Sequence, residues 1–455
     1  MKKIERRAIV CVVLAMALAV GMGIFVFRYI TSGGKWASSA FNRHLYDTSG
    51  VLAAGTVLDR DGDILSQVVD GKRTYYQNET VRKATLHAVG DLQGRIGTGA
   101  LNAFADDLTG YNLLNGAFGA QRGRELYLTI DARFNYEAYQ ALGGKRGTVA
   151  VYNYKTGEVL CMVSAPSYDP LAVPADIESN DRYEGAYLNR FLSSTFTPGS
   201  VYKTVTLAAA LEHLPDAESR TWDCTGSVQI GEEAIICSGV HGEQDLKNAF
   251  ANSCNVVFAE IAQEMGAEVL KKETEKAGLT SGYELDSLPT AKGSFSWENI
   301  SDGELAWAGV GQYKDQVNPC ALMVYMGAIA NGGKAAQPRL INKTVSSLGI
   351  PSLPRWGSKT GTLISSHTAK TVAEWMAYNV EATYGASRFP NMDICAKSGT
   401  AEVGSENAPH AWFAGFLQNE EAPYAFVVLV ENGGGGSSVA GSVAAKVLDI
   451  MVNGY

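Results

Sequence analysis

Ala8 to Phe27 reads AIVCVVLAMALAVGMGIFVF, about 20 residues without a charge. As an α-helix the run spans roughly 30 Å, the hydrocarbon thickness of a bilayer. Inside lipid a single segment can satisfy all its backbone N–H and C=O groups only as a helix. The basic stretch MKKIERR precedes the run and Arg28 closes it. Positive charge ahead of the span keeps the N-terminus cytoplasmic and places the remainder outside the cell. A cleaved signal peptide is the alternative, but its apolar core runs only about 7–15 residues. The expectation is a single-pass protein of the cell membrane with an extracytoplasmic body. Pro319 to Ala330 and Ala425 to Val430 are too short for a second span and read as core elements.

The chain has 455 residues, room for two or three domains. Hydrophobic residues make up 46% and charged residues 19%, which suits a globular body with a sizeable core. A net charge of −9 argues against a nucleic-acid partner, which selects a basic face. Of 7 cysteines, Cys11 lies in the membrane run. No C-x-x-C pair occurs and the 6 histidines are scattered, so no metal site is expected. Cys224 and Cys237 flank TGSVQIGEEAII, a hairpin pattern with Gly231 in its turn. In an oxidising compartment they can pair as a disulfide; two free buried thiols are the other reading.

Three parts are expected: 1–30 as tail and transmembrane anchor, 31–140 as an N-terminal non-catalytic part, and 141–455 as the main domain. Residues 31–140 are polar, with a strand-like piece at Gly55 to Leu58 and a turn at Asp61-Gly62. From Gly147 two apolar strands, GTVAVYN and GEVLCMVS, form a hairpin. Thr204 to Leu214 is apolar nearly all round, which predicts a buried helix. Helical stretches continue to about residue 333, then AWFAGFLQ and YAFVVLV return to strands and Val439 to Val452 closes as a helix. Strands, then helices, then strands again predict an α+β layered fold whose sheet is assembled from both ends of the segment.

At the head of the buried helix stands FTPGSVYK, Phe196 to Lys203. Ser200 and Lys203 fall one turn apart on one face. A serine hydroxyl needs a base, and an amine serves if burial and a second cation lower its pKa. The helix N-terminus adds positive character where an oxyanion develops. Taken alone, the pair also fits an N-cap serine and a snorkelling lysine. Two more pieces bear on it. Ser253-Cys254-Asn255 is a polar interruption in an apolar helical stretch. Lys397-Ser398-Gly399-Thr400 is a cationic, hydroxyl-bearing strand whose glycine lets a substrate backbone approach.

The order S-x-x-K, S-x-N, K-[ST]-G, about 50 and about 140 residues apart, resembles the serine penicillin-recognising enzymes. TID (Thr129 to Asp131), KTGEVLCMVSAPSYDP, PGSVYK, NSCNVVF, GVGQ (Gly309 to Gln312), ANGG (Ala330 to Gly333), AKSGTAE and HAWFAGF narrow the resemblance to class B penicillin-binding proteins. It covers roughly 125–455, with GTVLDRDGDIL extending it weakly toward the N-terminus. Ser358 to Thr362, SKTGT, is a decoy: HAWFAGF follows Lys397, as the family pattern requires. Ala54, where the family usually has arginine, and Asn135, where it often has glutamine, are departures outside the catalytic triplet.

The resemblance implies a central, mainly antiparallel five-stranded sheet with helices on both faces, preceded by the transmembrane helix and a smaller N-terminal domain. It implies a D,D-transpeptidase needing no cofactor, which crosslinks stem peptides ending in D-Ala-D-Ala and is acylated by β-lactams. Ser200 is then the nucleophile, Lys203 its base and Ser253 the proton relay. Asn255 holds the stem amide, Lys397, Ser398 and Thr400 hold the terminal carboxylate, and Gly399 belongs to the substrate-binding set as the point where the substrate backbone comes close. The N–H groups of Ser200 and Thr400 form the oxyanion hole. A membrane glycosyltransferase of the shape, elongation, division and sporulation family is the implied partner. A D,D-carboxypeptidase uses the same residues with water as acceptor. A β-lactamase, a β-lactam sensor and a silent scaffold fit less well.

Overall fold

The computed structural model describes residues 2–37, 52–110, 123–353, 357–404 and 407–454. Residues 38–51 and 111–122 of the expected N-terminal part lie outside the described residues. The N-terminal run is one helix, Lys2–Ala37, and its stretch Ile4–Gly34 is long and apolar enough to cross a membrane. Leu14, Leu18 and Phe25 on it stand exposed, as a lipid-facing surface requires.

The chain then builds two five-stranded sheets. The first sheet is ordered Ile394–Ala401, His410–Leu417, Tyr424–Val430, Gly147–Asn153, Val159–Ala165. Every neighbouring pair in it is antiparallel. Its outer edge strand, Ile394–Ala401, thus comes from the end of the segment and its opposite edge from the beginning. Val159–Ala165 is buried along its whole length, because helices cover both faces. On one face Ala132–Leu142 and Gly441–Asn453 pack through Ala138, Leu142, Val443, Val447 and Leu448 onto Val149, Val163 and Val428. On the other lies a helical block including Pro319–Ala330 and Ser366–Asn379. The helix Lys203–His213 sits inside that block, buried from Lys203 through Ala210, as its unbroken apolar pattern predicts.

The second sheet is ordered Ile341–Val345, Glu125–Leu128, Thr56–Leu58, Ile64–Val69, Lys72–Tyr75. Glu125–Leu128 runs parallel to Thr56–Leu58; the other pairs are antiparallel. Its first strand comes from well beyond residue 140. The Asp286 carboxylate holds the entry to that strand by accepting from the N–H groups of Leu340 and Ile341, both at 2.7 Å.

Candidate active site

The turn carrying Ser200 is held from three sides. Phe196 and Val317 exchange backbone hydrogen bonds at 2.9 Å each. The Trp412 indole N–H donates to the Thr197 carbonyl at 2.9 Å, tying the turn to the sheet. The Gly199 N–H donates to the Gly311 carbonyl at 2.8 Å, so the GVGQ motif is a backing for this turn. Gly311 has φ +85°, and a Cβ there would lie 2.1 Å from the Gly199 carbonyl oxygen, so only glycine fits. A short 3-10 turn, Gly199–Val201, then feeds the helix Lys203–His213. Ser200 stays partly exposed, and Lys203 lies one turn further on, fully buried.

Lys203 Nζ donates to the Ser253 carbonyl at 2.6 Å and to Asn255 Oδ1 at 2.7 Å, with Ser253 Oγ at 3.4 Å. Lys397, also fully buried, donates from Nζ to Ser253 Oγ at 3.0 Å and to the Ser398 carbonyl at 3.2 Å. The Ser253 hydroxyl therefore bridges two amines carried by elements remote in sequence. Ser253 has φ +53°, a left-handed conformation uncommon outside glycine and one way a site stores strain. Each amine also faces a ring: Lys203 Nζ lies 5.5 Å from the Phe258 centroid and Lys397 Nζ 5.6 Å from that of Phe250. Among the described residues, no carboxylate is a hydrogen-bond partner of either lysine. Burial, and secondly Lys397, push the Lys203 amine down to about 7; burial alone pushes Lys397 down to about 7.

Asn255 does more than the sequence suggested. Its Nδ2 donates to the Ile236 carbonyl at 2.8 Å, so one of its two N–H donors is committed before any substrate arrives. Ser398 likewise has a partner that sequence reasoning missed. Its N–H and its hydroxyl both reach Tyr384 Oη, at 2.9 and 3.1 Å. Tyr384 is buried, on the turn after Ser366–Asn379, and nothing in the linear sequence marks it. Because the Ser398 N–H points off the sheet to Tyr384, strand alternation points the Thr400 N–H off the same open edge. The Thr400 carbonyl on that edge lies so close to Gly199 that a Cβ there would come within 2.7 Å.

Gly399 has a packing role that the sequence did not show. Its open side faces the Ser200 turn: a Cβ would meet the Pro198 carbonyl at 2.8 Å and Val201 Cγ1 at 3.1 Å. The missing side chain lets the edge strand seat against the turn. Gly399→Ala should therefore displace Thr400 from Ser200 and slow β-lactam acylation by about 10²-fold, the effect of misplacing reacting groups by an ångström. Stopped-flow labelling of folded protein would test this, and an unchanged rate would remove the packing argument. SKTGT, in contrast, lies off the sheet: Lys359 is exposed and bridges only Ala336.

Two cysteine readings meet at one place in the fold. Cys224 and Cys237 flank a hairpin, Ser227–Ile230 with Glu233–Ile236, and Gly231 turns it at φ +57°. Of the two readings left open, the structure has them as free thiols. The absence of a metal-binding set was inferred from linear spacing. In the fold Cys224, Cys237, His241 and Cys254 bring their ligand atoms within 4.8 Å of one another. Cys237 and His241, four residues apart, were the one local signal available.

The antiparallel sheet, the helix buried at its centre and the two-lysine, one-serine cluster at its edge define the penicillin-recognising class. The family described as penicillin binding protein transpeptidase domain matches residues 147–449. Peptidoglycan D,D-transpeptidase PbpA of Mycolicibacterium smegmatis is 30% identical over 363 residues, covering 72% of this chain and 71% of that protein. The D,D-transpeptidase domain of a peptidoglycan glycosyltransferase from Eggerthella lenta superposes with a TM-score of 0.77 at 28% identity, over 88% of this chain and 99% of that one. Penicillin-binding protein A from M. tuberculosis, as a ceftriaxone acyl-enzyme complex, shares the fold with a TM-score of 0.76 at 23% identity, over 88% and 98%. The chain belongs to the penicillin-binding protein transpeptidase family and is a class B penicillin-binding protein.

Proposed function

We propose that this protein is a peptidoglycan D,D-transpeptidase in which Ser200 is the nucleophile, Lys203 its general base and Ser253 the proton relay. The observation that carries the reading is the bonding of Lys203. A neutral amine has two hydrogens and one lone pair. Both hydrogens have acceptors, Ser253 O and Asn255 Oδ1, which leaves the lone pair for the Ser200 proton. Ser200 Oγ attacks the penultimate carbonyl of a stem ending in D-Ala-D-Ala. The proton passes by Lys203 and Ser253 to the departing D-alanine nitrogen. An amine from a neighbouring stem then attacks the acyl-enzyme, forms the crosslink and returns the proton to Ser200. The N–H groups of Ser200 and Thr400 hold the oxyanion; losing one such donor costs other acyl-transfer enzymes roughly 3–4 kcal/mol. Lys397, Ser398 and Thr400 receive the terminal carboxylate, with Gly399 keeping their strand seated. Tyr384 orients Ser398. β-Lactams enter as donor mimics and acylate Ser200.

The lowered pKa sets the sign of the pH dependence. Lys203 works unprotonated, and the groups acting on its charge are Lys397, which lowers its pKa, and the Cys254 and Cys237 thiols, which raise it. The acylation rate should climb about tenfold per pH unit below about 7 and level off above it. A plateau reached only near pH 10 would mean an ordinary lysine and would end the free-base mechanism. To separate crosslinking from hydrolysis, full-length enzyme is given a stem-peptide donor with and without an amine acceptor. A crosslinked product is expected; release of free D-alanine alone would convert the reading to a carboxypeptidase.

The same reading extends to the anchor and the second sheet. The helix Lys2–Ala37 holds the protein in the membrane with its N-terminus cytoplasmic and the active site outside, in keeping with the basic flank at Lys2, Lys3, Arg6 and Arg7. The second sheet is the centre of a smaller, non-catalytic domain, drawn from residues 31–140 and completed by Ile341–Val345. With the anchor it offers the surface for a membrane glycosyltransferase that polymerises the glycan.

A further inference from the structure

Beside the acyl-transfer residues lies a cluster that their chemistry does not use. Cys224 ends the strand Thr221–Cys224 and Cys237 follows the strand Glu233–Ile236. His241 precedes the strand Gly242–Asp245, and Cys254 caps the helix Asn255–Met265. Cys224 and Cys254 are fully buried and Cys237 is 9% exposed. His241 Nδ1 lies 3.5 Å from Cys224 Sγ and 3.5 Å from Cys237 Sγ. Cys237 Sγ lies 3.8 Å from Cys254 Sγ. A tetrahedral zinc ion with Zn–S of about 2.3 Å and Zn–N of about 2.0 Å has S···S edges of roughly 3.8 Å and S···N edges of roughly 3.5 Å. The His241–Cys224, His241–Cys237 and Cys237–Cys254 separations match those edges. A disulfide would demand about 2.05 Å between two sulfurs and leave the third sulfur and the imidazole without a purpose.

We propose that Cys224, Cys237, His241 and Cys254 bind one zinc ion as a closed structural site. Three thiolates and a neutral imidazole fill a tetrahedron with no position for water, and a soft S₃N set selects zinc over calcium or magnesium. Three S–H protons are released as the ion enters, leaving a site of net charge −1. Outer contacts fit the role: the Asn255 N–H donates to Cys237 Sγ at 3.3 Å, an N–H···S bond that stabilises a thiolate. The fold also needs a staple here. Among the described residues Thr221–Cys224 pairs only with Gly242–Asp245, and Ser227–Ile230 only with Glu233–Ile236, and two-stranded ladders are marginal by themselves. Because Cys254 lies between Ser253 and Asn255, the ion would fasten these ladders to the turn that contacts both lysines. This inference stands on the cluster's geometry, whatever reaction the neighbouring residues perform.

Full-length protein, purified in detergent without added metal, should contain one zinc ion per chain by inductively coupled plasma mass spectrometry. Cys224, Cys237 and Cys254 should resist a thiol reagent until a chelator is added, and chelation should lower the melting temperature. Cobalt exchanged into the site should show a sulfur-to-metal charge-transfer band. His241→Ala should lose the metal. Should that variant fail to fold, the wild-type zinc content, thiol reactivity and cobalt spectrum decide the matter alone. Zinc absent even after reconstitution, equal zinc in wild type and folded His241→Ala, or a disulfide-linked peptide joining any two of the three cysteines would overturn the proposal.

Discussion

Full-length Ser200→Ala protein is expected to take up no fluorescent penicillin under conditions that saturate the wild type. Removing the nucleophile of another acyl-transfer enzyme costs about 10⁶ in rate, so labelling should drop below detection rather than merely slow. The structure explains why no other hydroxyl takes over. Ser253 Oγ is held between Lys397 and Lys203, at 3.0 and 3.4 Å, and its φ of +53° fixes the direction of its side chain. Ser398 is paired with Tyr384, and Ser358 of the decoy motif is exposed on a segment off the sheet. Ser358→Ala should therefore label at the wild-type rate. The adduct should map by mass spectrometry to the peptide containing Ser200. Retained labelling in a folded Ser200→Ala protein, or an adduct on another serine, would dismantle the assignment.

Lys203→Met should fold, bind β-lactams reversibly and acylate slower by about 10³–10⁴-fold, near the upper range for losing a general base. Methionine fills similar volume without a lone pair. It also strips the donors from the Ser253 carbonyl and Asn255 Oδ1, so some of the loss comes from a less constrained Ser253 turn. Lys203→Arg separates the two contributions. A guanidinium keeps positive charge and donors but does not lose its proton in a protein, so it should be as slow as methionine. Stopped-flow acylation rates, with melting curves to verify folding, give the comparison. An arginine variant near the wild-type rate would show that position 203 supplies charge and not a base.

Much of the scaffold could be read from local pattern. The unbroken apolar runs GTVAVYN and YAFVVLV became strands buried on both faces, and the all-round apolar helix after Lys203 became the centre of the helical block. Gly231 turned its hairpin as expected. Harder to read were features made by chain segments meeting from afar. The strand Ile341–Val345 joins a sheet of N-terminal strands, and its own alternation says nothing about which neighbour it will find. That Gly399 packs on the Ser200 turn was hidden, because a glycine in a strand announces close approach without saying of what. Tyr384 carries no mark, since a tyrosine near a strand is usually packing. The four zinc ligands lie on separate strand ends and a helix cap, and only the closure of two small ladders brings them together.

The one-turn spacing of Ser200 and Lys203 was settled by sequence alone, because helix geometry is local and a residue three places on must share the face. So was an N-terminal helix long and apolar enough to cross a membrane, because length and composition are read directly from the chain. The state of the Lys203 amine was decided only in three dimensions. Its pKa depends on being shut away from water and on Lys397 arriving from a distant strand. Desolvation and charge proximity are properties of the assembled interior, which no stretch of the chain possesses before it folds.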